Sequence, residues 1–368
     1  MSAPAPRDAA GDRTVAERRN AGGRVDSIDW LKGLAIVMVV GIHARPLAGT
    51  PVHDYLVNRA VALFLVAFGI TSSLWWRRRR DAPSPRNADG GDGRGVGWSD
   101  WYQSRLRRLF VPYWAFVAAW LPVAAFTGLL ERPLAEAAAA PFGYLPSAGT
   151  SWFVTLVLQL VVAFPALEWL QRRLGVVATL VLGAAATVAC HLAMIPLIGA
   201  IKSCILDTAD GPGFYYFWIF WPADLWLVFA GMALAGALRL PRKLVVAAAA
   251  VFVAGALVHA RVVEDPFVRT GLQRILDVPL AVVLLAALPA VGRLPSLAAA
   301  LAWLGRWSWG LYLAHILVHE VVHAFGYFPE EEGLAVRSAY FAVLLGSAVV
   351  IAVVSERARD AATAAATR

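Results

Sequence analysis

Ten apolar segments alternate with shorter polar stretches along most of the chain. An α-helix needs about 20 mainly apolar residues to cross a bilayer, and each segment has that length or comes close to it. The segments fall at about residues 30–47, 56–76, 109–130, 152–170, 174–199, 215–236, 244–260, 275–291, 307–325 and 338–354. This pattern predicts an all-α fold, a polytopic membrane helix bundle with about ten transmembrane helices.

The composition agrees with a protein that resides in lipid. Hydrophobic residues make up 59% of the 368 residues and charged residues only 16%, whereas charged residues are about 25% of a typical soluble domain. The first stretch of the chain is polar, and the first apolar run continues as a full span, so we expect no cleavable signal peptide. The chain is therefore predicted to be a multi-pass protein of the cell (plasma) membrane.

The net charge of +8 does not indicate a nucleic-acid partner, because the arginines cluster at the ends of the apolar segments. If the N-terminus lies inside the cell, the inner segments carry about three times as many Lys and Arg residues as the outer ones. This is the positive-inside distribution of a membrane protein. It predicts that both termini are cytoplasmic.

A single membrane domain accounts for nearly the whole chain. We expect it to span residues 24–355, between a disordered cytoplasmic tail at 1–23 and a second cytoplasmic tail at 356–368. Residues 77–100 are rich in Gly, Pro, Asp and Arg and are predicted to form a mobile cytoplasmic loop. The two cysteines, Cys190 and Cys204, give neither a metal-binding spacing nor a disulfide framework.

The first predicted helix carries the strongest chemical signal, in the segment RVDSIDWLKGLAIVMVVGIHAR. Lys32 and His43 are eleven residues apart, which is close to three helical turns, so they share one face at a separation of roughly 16 Å. Asp29 precedes Lys32 by three residues and lies on the same face. Ionisable groups inside a membrane are costly and usually mark functional sites. Lys32 alone would also suit a snorkelling interface lysine, and His43 alone a packed histidine, but together they favour chemistry.

Several motifs, taken in their order and spacing, resemble acyltransferase family 3. These integral membrane enzymes move acetyl or other acyl groups onto exported sugars, lipids and some natural products. The motifs are RVDSIDWLKGLAIVMVVGIHA, RLRRLFVPYW, SWFVTLVLQLVVAFP, VFAGMAL and LGRWSWGLYLAHILVH. Lys32 stands where the family usually has arginine, and in this respect the chain resembles the branch of fucose O-acetylases.

The resemblance implies that acyl-CoA, most simply acetyl-CoA, is a co-substrate and that no cofactor stays bound. It further implies a carbohydrate or glycolipid acceptor at or beyond the lipid bilayer, with which the protein is also in contact. His43 would act as the base for the acceptor hydroxyl or as a covalent carrier of the acyl group. Lys32, with Asp29 beside it, would meet a coenzyme phosphate or the thioester carbonyl. Arg105 and Arg108, three residues apart on one helical face, would bind the phosphates or simply anchor the helix at the membrane surface.

Four further residues are candidates for the acceptor site. Tyr312 and His315 match a late Tyr-Leu-x-His motif of the family, although helix packing would explain them equally well. Trp152 begins the fourth predicted span at its outer edge, where an aromatic belt is also expected. Asp224 follows Pro222 within the sixth predicted span and is an intramembrane acid.

Two other classes of protein have some support in the sequence. Residues 319–323 read HEVVH, which matches the zinc-protease pattern with Glu320 as the base. Pro329 occupies the position of the third ligand, however, so we expect no metal ion there and regard an intramembrane metalloprotease as the weaker alternative. A non-catalytic transporter would also carry ionisable residues in its spans, but no paired repeats of the kind common in transporters are visible.

Overall fold

A computed structural model describes the protein over residues 26–81, 97–130, 133–143, 145, 147–148, 151–205, 221–236, 240–262 and 266–366. Within these ranges the chain forms helices, turns and short connections, and it has no β-strand. The all-α prediction is therefore confirmed. Most of the predicted loop, residues 82–96, and the N-terminal tail lie outside the described residues.

Thirteen α-helices form the described part of the bundle. In chain order they are α1 (Asp26–Ala44), α2 (Pro51–Tyr55), α3 (Ala60–Asp81), α4 (Trp98–Arg105), α5 (Val111–Thr127), α6 (Pro133–Ala139), α7 (Trp152–Leu174), α8 (Val176–Ile205), α9 (Leu225–Leu234), α10 (Arg242–Val262), α11 (Pro266–Ala287), α12 (Pro295–Ala324) and α13 (Leu334–Ala366). A π-helical turn, Leu106–Phe110, joins α4 to α5. Short 3-10 turns include Val57–Arg59, Trp221–Asp224 and Pro329–Glu331.

The membrane-spanning character predicted from the sequence is confirmed. Eight helical stretches of the described chain are long and apolar enough to cross a membrane, and each corresponds to one of the predicted spans. The sixth predicted span is represented by the shorter apolar helix Trp221–Leu234. The ninth corresponds to α12, which is 30 residues long but carries an arginine and three histidines, so it is less apolar than the eight. The protein is thus a polytopic helix bundle.

Several observed helices differ in length from the predicted spans. α12 begins at Pro295, twelve residues early, and α13 runs on to Ala366, through most of the predicted tail at 356–368. α1 begins at Asp26 and ends at Ala44, three residues before the predicted end. Arg45 adopts a left-handed conformation (φ 53°), and Pro46 follows it, so the helix cannot continue. α3 runs on to Asp81 through four arginines that we had assigned to the following loop. Long arginine side chains extend from a helix end into water, so the helix need not stop where the apolar run does.

The core of the bundle is the contact between α1 and α12, which is more extensive than any other helix pair in the described chain. A Cβ atom at Gly33 would collide with the carbonyl oxygen of Leu301, and one at Gly305 would collide with the carbonyl oxygen of Asp29. Small residues of this kind let two membrane helices approach closely. α3 and α9 meet in the same way through Gly69 and Gly231.

Other helices lie at the periphery. In the span Trp152–Leu174, within α7, 67% of the apolar window is buried inside the bundle, whereas in Arg242–His259, within α10, only 11% is buried. The exposed residues of α10 are largely apolar, as expected for a surface that faces lipid. α1, α3, α7, α9 and α12 therefore form the interior in which polar chemistry can be enclosed.

The close approach at Gly305 predicts an asymmetric response to two glycine substitutions in α12. Gly305→Ala should destabilise the protein by about 1–3 kcal/mol, because the new methyl group has no space against the α1 backbone. Gly310→Ala, on the same helix, should be neutral or slightly stabilising, because no atom lies within 4 Å of the added Cβ. Thermal unfolding in detergent, followed by circular dichroism, measures both. Equal unfolding temperatures for the two variants would contradict this packing.

The charge distribution predicts the orientation of the bundle. In a variant without the two native cysteines, a cysteine at the exposed Arg173, at the end of α7, should react only with a membrane-permeant reagent in intact cells. A cysteine at the exposed Glu332, between α12 and α13, should also react with an impermeant reagent. Reaction of the position 173 cysteine with the impermeant reagent would show that the termini lie outside.

Candidate active site

His43 lies in the last turn of α1 and faces a cavity of about 300 Å³. We call this the His43 cavity. Its polar lining comes from four chain segments, because α1, the Val57–Arg59 turn, α11 and α12 meet here. Besides His43, the polar and aromatic residues that line it are Asn58, Arg59, Trp152, Phe153, Gln273, Arg274 and Tyr312. The cavity therefore combines a histidine with several hydrogen-bond donors.

Lys32, at the other end of α1, lines a second cavity of about 150 Å³. We call this the Lys32 cavity. Four cationic side chains line it, namely Lys32, Arg105, Arg108 and Arg306. The Asp29 carboxylate lies 2.7 Å from the Lys32 ammonium. This concentration of positive charge is suited to an anionic ligand with several phosphate groups.

Arg105 is held in place by Trp101 of the same helix. Its guanidinium lies 4.2 Å from the ring centroid of Trp101, a cation–π arrangement, and its side chain is buried. The Trp101 indole N–H in turn donates to the carbonyl of Val161 on α7. The π-helical turn that follows, Leu106–Phe110, carries Arg108 into the same cavity.

Phe153 and Tyr312 line both cavities. Their ring centroids are 5.4 Å apart with the planes at 69°, so the edge of one ring meets the face of the other. Tyr312 also stacks on Trp309, at 5.8 Å between centroids. The Phe153–Tyr312 pair is therefore the boundary between the cationic cavity and the histidine-containing cavity.

A buried network of opposite charges supports the His43 cavity. The Arg274 Nε atom lies 3.1 Å from the Asp224 carboxylate, and another of its nitrogens lies 3.7 Å from Asp277. Arg59 approaches Asp277 at 3.8 Å and also donates to the backbone carbonyl of Asp54. Because each arginine faces a carboxylate, the cavity gains hydrogen-bond donors without a large net charge.

Histidine rings from α1 and α12 lie close together beside the cavity. The ring of His43 lies 5.3 Å from that of His315 and 4.9 Å from that of His319, between centroids. His315 is fully buried, and its Nδ1 atom lies 3.1 Å from the Leu311 carbonyl oxygen of its own helix. His315 lines neither cavity, whereas His43 lines the larger one. Of the two, His43 is the better placed to meet a substrate.

The HEVVH segment forms a second polar group at the same end of α12. His319 and His323 face the same way, with ring centroids 3.9 Å apart. Pro329 is buried in a 3-10 turn, and the next residue, Glu330, brings its carboxylate to 3.0 Å from a ring nitrogen of His323. We had expected no metal because Pro329 cannot be the third ligand. The structure supplies an acidic group one residue later, so that reason no longer holds.

A comparison with known protein families identifies the family of the chain. A family model described as an acyltransferase domain matches residues 25–357, which is almost the whole chain. The chain belongs to acyltransferase family 3. It is therefore a multi-pass membrane acyltransferase, and this favours acyl transfer over the transporter or the protease considered from the sequence. Among curated proteins and among solved structures, none matches the chain significantly.

Four of the residues predicted from the sequence lie at the Lys32 cavity of the acyltransferase. Lys32, Arg105 and Arg108 line it, and Asp29 pairs with Lys32. The Asp29–Lys32 pair and the Arg105–Arg108 pair are far apart in the sequence. The packing of the π-helical turn and α5 against α12, which in turn packs on α1, brings them together. These cations therefore lie around one cavity, and their role in binding a coenzyme stays a prediction.

The remaining predicted residues lie around the other cavity of the acyltransferase. His43 and Trp152 line it, and Tyr312 lies at its boundary. Asp224 lines neither cavity; it pairs with Arg274, which does line one, so it can act only through that arginine. His315 also lines neither cavity, and its ring lies 5.3 Å from that of His43 between centroids.

Sequence reasoning did not single out Arg59, Arg274 or Asp277. All three are buried, and Arg59 and Asp277 are separated by more than 200 residues in the sequence. A usable signal was present, because an acid and two arginines at the edges of predicted spans are costly unless they pair with one another. Only the packing of α11 beside the Val57–Arg59 turn shows which residues are the partners.

Proposed function

We propose that this acyltransferase moves an acyl group, acetyl in the simplest case, from cytoplasmic acyl-CoA to a hydroxyl group of an exported glycan, glycolipid or related acceptor at the plasma membrane. The observation that carries this proposal is the pair of cavities that meet at Phe153 and Tyr312. One cavity is cationic and lies by the helix end that we predict to be cytoplasmic. The other contains a histidine and lies towards the opposite end of the same helix.

The Lys32 cavity is suited to the phosphates of coenzyme A. Arginine matches phosphate oxygens in a bidentate manner, and lysine adds a compact positive charge. A cavity of about 150 Å³ is smaller than a pocket for a complete drug-sized ligand, so it would enclose only part of the coenzyme. The exposed arginines at its edge, Arg108 and Arg306, would then contact phosphates that remain at the membrane surface.

Lys32 and His43 are too far apart to contact the same part of the acyl donor. Eleven residues of helix rise about 16 Å, so Lys32 does not reach a carbonyl that reacts beside His43. We therefore place Lys32 with the phosphates and leave the thioester carbonyl to the other end of α1. A coenzyme whose phosphates lie at Lys32 would have to extend its thioester arm past the Phe153–Tyr312 pair to reach His43.

His43 would serve as the general base. It takes the proton of the acceptor hydroxyl as the hydroxyl oxygen attacks the thioester carbonyl carbon, and the oxyanion that forms needs hydrogen-bond donors. When the carbon–sulfur bond breaks, the proton passes from His43 to the departing thiolate, so that the products are an ester and free coenzyme A. A transient acyl group on the His43 ring would give the same products in two steps.

The His43 cavity has features that suit a hydroxyl-rich acceptor. Asn58 and Gln273 offer amide groups, and the arginines offer donors whose charges are balanced by Asp224 and Asp277. Trp152 adds an apolar surface. This combination favours a neutral sugar over an anionic substrate, because the cavity has little net charge to offer.

Lysine at position 32 supports our proposal that the enzyme belongs to the branch that resembles fucose O-acetylases. Lysine keeps the charge of the usual arginine but loses its planar pair of donors. The pairing of Lys32 with Asp29 holds the ammonium in the first turns of α1. We propose that this geometry binds phosphate as a point charge.

The direct test is to incubate the purified protein in detergent with acetyl-CoA and a panel of sugars and glycolipids while free thiol is measured. Thiol release that depends on one acceptor, with an acetylated product in the mass spectrum, is the expected result. If no thiol is released with any acceptor, or if thiol appears without an acetylated product, the proposed reaction is not supported.

His43→Ala should lower acyl transfer by about 10²–10⁴-fold, the usual contribution of a positioned base. Helix insertion should be unaffected, since alanine is apolar and favours helix. His315→Ala should have a smaller effect because His315 lines neither cavity. A well-folded His43→Ala protein with nearly full activity would exclude His43 as base or acyl carrier.

Lys32→Arg should retain substantial activity, because charge and reach are preserved. Lys32→Met should lower kcat/KM for acetyl-CoA by about 10–100-fold, the usual effect of a lost charged hydrogen bond, mainly through KM. Lys243→Met, at an exposed end of α10, is the control for loss of a positive charge elsewhere. Equal KM values for the Met and wild-type enzymes would mean that Lys32 only anchors the helix.

A further inference from the structure

We propose that the end of α12 next to His43 binds one divalent metal ion of the zinc type through His319, His323 and Glu330. The proposal goes beyond acyl transfer and does not rest on it. One ligand atom of each of the three residues lies within 4.8 Å of the other two. This is the only such group of three or more potential ligands in the part of the chain that the structure describes.

The spacing of the two histidines provides two ligands from one helix. Residues four apart lie on the same helical face, and here the ring centroids of His319 and His323 are 3.9 Å apart. Zinc binds imidazole nitrogen at about 2.0–2.1 Å, so neighbouring ligand atoms of a tetrahedral site lie about 3.4 Å apart. Side-chain rotations alone would bring the three groups from their present separation to that distance.

Glu330 reaches the histidines because of the turn that precedes α13. Pro329 begins the 3-10 turn Pro329–Glu331 and is buried, which directs the Glu330 carboxylate back to α12. Its oxygens lie 3.0 and 3.1 Å from the Nε2 atom of His323. In the absence of a metal this contact is a hydrogen bond; a cation would take the place of the shared proton.

Tyr340 gives independent support for a metal-binding role of His319. The Tyr340 hydroxyl, on α13, lies 2.7 Å from the Nδ1 atom of His319, and both side chains are buried. Metal-binding histidines almost always donate their second ring N–H to a neighbouring acceptor, which sets the tautomer and the ring orientation. If Nδ1–H donates to the Tyr340 oxygen, Nε2 of His319 carries the lone pair that a metal needs.

The ligand set indicates what the ion would do. Two imidazoles and one carboxylate form a site that zinc occupies with one further position for water. Glu320 would be the base of a zinc protease, but the family match assigns the chain to the acyltransferases. We therefore assign the ion a positioning role. It would join α12 to the Pro329–Glu331 turn and hold the His319 ring beside His43, 4.9 Å away.

The test uses the full-length protein purified through a tag without histidines, treated with chelator and then dialysed against a low concentration of ZnCl2. Elemental analysis should find about one zinc per chain. Cobalt bound in place of zinc should give the visible absorption bands of a tetrahedral site. Since no acyl donor is used, this result does not depend on whether acyl transfer is observed.

Matched variants make the assignment specific. His319→Ala and Glu330→Gln should each lose at least tenfold in zinc affinity, and Tyr340→Phe should lose about 10–100-fold through its effect on His319. Glu331→Gln, the exposed neighbour in the same turn, should still bind one zinc. Zinc should raise the unfolding temperature of the wild type and leave that of Glu330→Gln unchanged, which separates lost binding from misfolding.

Two results would overturn the proposal. One is a wild-type protein that is well folded but holds no stoichiometric zinc and shows no thermal stabilisation by it. The other is zinc binding that persists in the His319→Ala variant and in the Glu330→Gln variant, because the ion would then be held elsewhere on the chain.

Discussion

The close contact between α1 and α12 is the constraint on which the site depends. Gly33 and Gly305 each lie against a backbone carbonyl of the opposite helix, so the two helices meet at backbone distance. Within a membrane no hydrophobic force draws helices together, and close packing of small residues takes its place. At this distance His315 and His319 of α12 reach His43. A side chain at either glycine would push the helices apart and separate those rings.

The charged side chains are arranged differently around the two cavities. Around the His43 cavity, Arg59 and Arg274 face Asp277 and Asp224, so a polar lining is maintained with little net charge. Unpaired charges would be very costly there. Around the Lys32 cavity four cations meet near one carboxylate, an excess of positive charge that is suited to an anionic ligand. The contrast between the cavities is the electrostatic basis for assigning the donor to one and the acceptor to the other.

The three histidines of α12 show how similar side chains acquire different roles from their surroundings. Each lies one helical turn from the next on one face of α12, and the first two, His315 and His319, contact the His43 ring. His315 is buried behind His43 with its Nδ1 atom at the Leu311 carbonyl. His319 meets Tyr340, and His323 meets Glu330 on a separate turn. The partners of His319 and His323 come from outside the helix, whereas that of His315 lies on α12 itself, and this difference distinguishes two potential metal ligands from a packing histidine.

The sequence by itself determined the all-α membrane fold, the approximate positions of the spans and the pairing of Lys32 with Asp29. These features depend on hydrophobic length and on helical periodicity, which act over a few turns of one segment. Tertiary structure alone decided that Phe153 and Tyr312 form a common boundary, that Asp277 pairs with Arg59, and that Glu330 reaches the HEVVH histidines. Each of these contacts joins residues from different helices or turns. Their partners are selected by packing geometry, which local sequence patterns do not encode.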